Sequence, residues 1–107
     1  MTAKPVVLRQ AAEQDIGEVV EYYRAEAGEV VALQLIDELE RVLTRMSTHP
    51  GSGSSRYAHD LGLPGLRFQL LRKFPHLVFY VEQESSIDVW RVLHGHRDIP
   101  AWLREGT

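Results

Sequence analysis

Residues 65–94 read GLRFQLLRKFPHLVFYVEQESSIDVWRVLH, and their patterning decides the fold. In 65–71, Leu66, Phe68 and Leu70 alternate with Arg67 and Gln69, the period of a strand with one buried face. RKFP (72–75) is a turn, and HLVFYVE (76–82) is apolar at nearly every position, as a central strand is. QESS (83–86) turns again before a third strand, IDVWRVLH (87–94). Pairing Leu71 with His76 across the first turn sets Gln69 opposite Val78 and Arg67 opposite Tyr80. Arg67, Gln69, His76, Val78 and Tyr80 then share one face; Phe68, Leu70, Leu77, Phe79 and Val81 share the other. The second face is the greasier, so helices are expected to cover it and leave the first open to bind. The third strand's register stays open by one residue: either Arg91 and Leu93, or Trp90, Val92 and His94, join the open face.

Upstream of this meander the period changes. PVVLRQ (5–10) opens with β-branched residues and reads as a short strand, Pro5 sitting where an edge tolerates it. From 11 to 27, Ala12, Ile16, Val19/Val20 and Tyr23 recur at helical spacing. Glu13, Asp15 and Glu18 crowd the start, where the helix dipole favours negative charge. Gly28 is the natural stop. A second helix over 29–47 carries the stripe Ala32, Leu35/Ile36, Leu39, Val42/Leu43 and Met46, and THPGSGSS (48–55) ends it in a loop. RDIPAWLREGT (97–107) predicts a last short turn of helix. The expected class is α+β: an N-terminal strand at the sheet edge, an antiparallel two-helix hairpin, and a three-stranded antiparallel meander, in a single domain over 1–107.

Composition narrows the function. The 107 residues contain no cysteine, which removes disulfides and thiolate metal sites, and no apolar run near the length needed to span a bilayer. Nothing in MTAKPVVLRQ marks the chain for export, so a cytoplasmic protein is expected. The net charge of −3 argues against direct nucleic-acid binding by the whole surface. The charge is uneven, however. Residues 1–50 hold five basic and nine acidic side chains, whereas 51–107 hold seven and six, with four of the five histidines. Anion-facing chemistry is therefore expected in the second half.

The polar cluster in RVLHGHRDI (91–99) is the candidate site. His94, His96 and Asp98 form H-x-H-x-D, reminiscent of hydrolytic zinc sites, but only His59 and His76 remain as further donors. A zinc site needs three or four convergent ligands with second-shell support, no second histidine follows Asp98, and no metal or other cofactor is expected. His76, His94 and Arg97 would form the trio of a phosphodiester-cleaving centre, set against a plainer reading in which His94 caps a strand end and His96 is solvated. Arg97 and Asp98 are either a local ion pair or a guanidinium offered to an anionic partner. Arg67, Tyr80, Trp90, Arg91 and Trp102 have the composition of a binding surface, since Arg, Tyr and Trp dominate interface hot spots.

The stretches AAEQDIGEVVEYY, AGEVVALQLIDEL, HPGSG, LPGLRFQLLRKFPHLVFYV and IDVWRVLHGHRDI, in this order over residues 6–99, resemble the ParE/RelE superfamily of bacterial toxins. The resemblance implies the toxin of a type II toxin–antitoxin operon, hetero-oligomeric with its antitoxin. RelE-like members cut messenger RNA on the ribosome; ParE-like members are associated with poisoning of DNA gyrase. RelE-like toxins place an arginine at the start of the strand matching 76–82, another after the last strand, lysines before the meander, and a tyrosine in the C-terminal segment. Here those positions hold His76, a retained Arg97, no lysine between Thr48 and Leu71, and Leu103. The RKFPHLVFY and RVLHG-R wording is that of ParE-like members. The resemblance therefore implies a ParE-like gyrase inhibitor that binds rather than hydrolyses, neutralised by a ParD-like antitoxin. An mRNA endonuclease and a non-toxic antitoxin-binding member are the alternatives. Arg67, Tyr80, Trp90, Arg91, His94, Arg97 and Trp102 are its expected contacts to antitoxin or target.

Overall fold

The computed structural model describes residues 3–105. Strand β1 (Val6–Leu8) leads into helix α1 (Gln10–Ala27) and helix α2 (Glu29–Thr48). A 3-10 turn (Pro50–Ser52) and a short helix α3 (Arg56–Leu61) precede strands β2 (Leu66–Leu70), β3 (His76–Glu82) and β4 (Ile87–His94), and helix α4 (Ile99–Glu105) follows. The helical hairpin closes at Gly28, whose φ of 94° suits glycine and whose N–H bonds the carbonyls of Tyr23 and Arg24. The stripe read on α2 is its buried face: Ala32, Leu35, Leu39, Val42 and Met46.

The strands form one sheet in the order β1-β4-β3-β2. The meander is antiparallel, and the hairpin register is the expected one, with Arg67 opposite Tyr80 and Gln69 opposite Val78. β1 joins the edge in parallel with β4, Val6 opposite Ile87. Between β3 and β4 the register slips, because Phe79 faces Arg91 while Tyr80 faces Val89, leaving Trp90 without an opposite number. Of the two open sets, Val92 and His94 share the face of Val78 and His76, whereas Leu93 faces the other way with Leu77; across the bulge Val89, in place of Trp90, lies beside Tyr80.

The faces are the reverse of the expected ones. The helical hairpin covers Val78 and Tyr80, which join Leu35, Leu39, Val42, Met46, Ile87, Val89 and Val92 in one core cluster. Phe68, Leu77 and Phe79 belong to a second cluster with Leu66, Leu93, Ile99 and Leu103, beneath α3 and α4. No open sheet face remains among the described residues. Both faces of β3 are apolar, so greasiness alone does not decide which one the hairpin covers. The hairpin packs on Val78, Tyr80, Val89 and Val92, and the Phe68 and Phe79 rings are sealed by short segments, Tyr57 packing on both at 5.6 and 5.7 Å. Leu70, expected to be covered, is 63% exposed.

Candidate functional site

Two of the residues expected to bind are instead internal. Tyr80 is fully buried; its hydroxyl donates to Pro50 O at 2.6 Å and accepts from Gly53 N–H at 3.1 Å, pinning the 50–53 turn to the sheet. Burial raises its pKa above the ordinary phenol value. Arg91 is buried in a two-pronged ion pair, its Nε and Nη2 donating to the Asp15 carboxylate at 2.7 and 2.8 Å, while Nη1 donates to Trp102 O. The same carboxylate accepts the Val92 N–H at 2.9 Å. β1 ends at Leu8, so this part of β4 lacks a strand neighbour on its β1 side, and Asp15 of α1 supplies the acceptor in its place. Arg67 is half-buried and donates to Gly53 O at 2.8 Å. Trp90 lies under the Arg9 guanidinium, 4.4 Å from the ring centroid, and donates to Asp88 at 3.1 Å.

The remaining expected residues do converge. His76 starts β3 and His94 ends β4, directly paired, with ring centroids 5.2 Å apart. His96 continues the stack at 5.1 Å from His94 and donates its backbone N–H to His94 Nδ1. Arg97 lies over the Trp102 ring at 4.7 Å. Asp98 does not pair with it; its carboxylate accepts the Ala101 N–H in the first turn of α4. His76, His94 and Arg97 form one wall of a cleft of about 380 Å³, and α1 contributes Glu18, Tyr22 and Tyr23 to the other. These α1 residues escaped the sequence reading because their helical spacing reads as an ordinary outer face. The available signal was Tyr22, an aromatic on the acidic side of the helix and exposed in the structure.

The electrostatics of the cleft decide what it can do. His76 is 5% exposed, and its Nδ1 has no hydrogen-bond partner among the described residues. Burial, then the nearby His94 and Arg97, lower its pKa to about 4. At neutral pH it is an uncharged imidazole, too weak a base and too rarely protonated to shuttle a proton efficiently. The position where RelE-like toxins carry a tyrosine holds Leu103, buried in the second core cluster. Among the described residues no three His, Asp or Glu side chains gather as metal ligands, and no helix is long and apolar enough to cross a membrane.

Residues 6–99 match the family model described as the ParE toxin of the type II toxin–antitoxin system parDE. The chain belongs to the ParE toxin family. Among solved structures it is similar to a chain described as the chromosomal ParDE TA system from P. aeruginosa, with a TM-score of 0.70 and 16% identity, over 86% of this chain and 96% of that one. At that identity the likeness speaks for the fold alone. No curated protein matches. The ParE fold thus accounts for the hairpin-on-sheet architecture, and the chain is the toxin side of a type II system.

Proposed function

We propose that this ParE-family toxin inhibits DNA gyrase by binding it, and that a ParD-type antitoxin neutralises it. One observation carries the choice of binding over hydrolysis. The cleft formed by His76, His94, Arg97, Glu18 and Tyr22 holds aromatic, cationic and acidic groups suited to recognition, yet its central imidazole is buried and neutral. Cutting an RNA backbone without a metal needs an activating base, a proton donor to the leaving oxygen and several cations about the phosphate. Here Arg97 is the one arginine of the cleft, and it is stacked on Trp102. Gyrase itself enters from the family, since the cleft's chemistry fits a protein surface without naming which one.

The convergence of His76, His94 and Arg97 on one cleft favours, as a second reading, an mRNA endonuclease. One experiment separates the two. The chain is expressed alone from an inducible promoter, and gyrase supercoiling and message integrity are assayed in parallel. Growth arrest with lost supercoiling and intact messages is the expected result. Cleavage of translated messages, abolished by His76→Ala or Arg97→Ala, establishes the endonuclease, and no arrest at all leaves a non-toxic antitoxin-binding member.

A further inference from the structure

Two adjoining clefts of about 360 and 390 Å³ share Arg41 and Arg72, and the second reaches Phe74, whose ring packs on Tyr23 of the His76 cleft at 5.2 Å. The first continues to Arg45, Gln69 and Leu70; the second continues to Asp37, Lys73 and Phe74. Four cations from two places in the chain thus meet along α2 and the β2–β3 turn, in a protein whose net charge is −3. Glu38 holds Arg41 through two hydrogen bonds of 2.8 and 2.7 Å. The side chains of Arg45, Arg72 and Lys73 are exposed and have no ion-pair partner among the described residues. Between them Leu70 stands largely exposed and Phe74 half-exposed.

We propose that this groove docks an acidic polypeptide segment carrying apolar side chains, and that the segment is the neutralising part of the antitoxin. The assignment rests on the antitoxin reading above and adds where and how the antitoxin is held. Charge complementarity selects an acidic partner, and the exposed Leu70 beside the cations selects a peptide over a phosphate backbone, which has nothing to place on it. The segment docks through side chains, because the outer edge of β2 is occupied on either side of Leu70 and leaves no run of backbone groups long enough to pair a strand. Leu66 N–H bonds Leu63 O, Phe68 exchanges both backbone bonds with Ser54, and Arg72 N–H bonds the Glu38 carboxylate.

The test measures binding of the antitoxin encoded beside this gene to the full chain and to Arg45→Glu/Arg72→Glu. The double reversal is expected to weaken binding by about 30-fold or more, steeply dependent on salt, while Arg45→Lys/Arg72→Lys retains most of the affinity and Arg56→Glu changes nothing. Both positions are exposed, so native circular dichroism is expected throughout; if the Glu variant misfolds, Arg45→Gln/Arg72→Gln carries the same comparison. Unchanged affinity in the reversed variant overturns the groove while leaving the antitoxin reading standing. Failure of the wild-type chain to bind that protein overturns the antitoxin reading and the groove together. A short DNA duplex is the second probe: binding by wild type that is lost in the reversal, with the antitoxin unaffected, reassigns the groove to phosphate and overturns the peptide.

Discussion

At the scale of single residues, His76 couples the cleft to stability. Its folded-state pKa of about 4 lies below the ordinary imidazole value of 6.5. Between those values the unfolded chain binds a proton that the native chain does not. The contribution is therefore complete above pH 6.5, is lost progressively as the pH falls toward 4, and is level below that. The full span corresponds to about 3 kcal/mol. Urea titrations across this window are expected to give a steeper loss of stability for wild type than for His76→Gln, and parallel slopes for the two proteins would refute the buried neutral imidazole. Asp15 makes a second residue-scale case. Asp15→Ala removes the carboxylate that Arg91 Nε and Nη2 and the Val92 N–H donate to, an expected loss of about 3–5 kcal/mol in chemical denaturation. In an Arg91→Met background the same change is expected to cost much less, because the guanidinium that uses the carboxylate is gone. Neither role was legible in the sequence. Asp15 reads as one of several carboxylates favouring a helix start, and Arg91 as an interface arginine, because their partnership joins positions 76 residues apart.

Elements were legible wherever periodicity and turn length sufficed. The α2 stripe, the Gly28 stop and the β2–β3 register all follow from spacing. The choice of face does not, because both faces of β3 are apolar. Tyr80 misled because its face was taken as the open one and tyrosine is common at interfaces, yet here its hydroxyl is enclosed by backbone groups of a turn 27 residues upstream. α3 went unread because six residues are too few to display a helical period. The Pro50–Ser54 segment links these features. A Cβ on Gly53 would strike the Tyr80 hydroxyl and come within 2.8 Å of Phe68 O. Gly53→Ala is therefore expected to destabilise by about 1–3 kcal/mol through overpacking, and Gly53→Ala in a Tyr80→Phe background by less. Thermal melts of the four proteins check this; equal losses in both backgrounds would place the strain elsewhere.

For the molecule as a whole, the single sheet serves two cores. β3 contributes Val78 and Tyr80 to the cluster beneath the helical hairpin and Leu77 and Phe79 to the cluster beneath α3 and α4. Neither cluster can lose its floor without exposing the other's, so unfolding is expected to be a single cooperative transition. Two signals report on opposite sides of the sheet. Trp90 and Trp102 pack against the second cluster, so tryptophan fluorescence follows it, whereas far-ultraviolet circular dichroism is dominated by α1 and α2 over the first. Their midpoints in urea are expected to coincide. Phe79→Ala empties space only in the second cluster and should cost about 3–5 kcal/mol. If β3 couples the two cores, that substitution shifts the fluorescence and dichroism curves together and by the same amount. A fluorescence transition that moves ahead of the helical one would mean that α3 and α4 form a separately melting layer, and that the hairpin on its sheet stands without them.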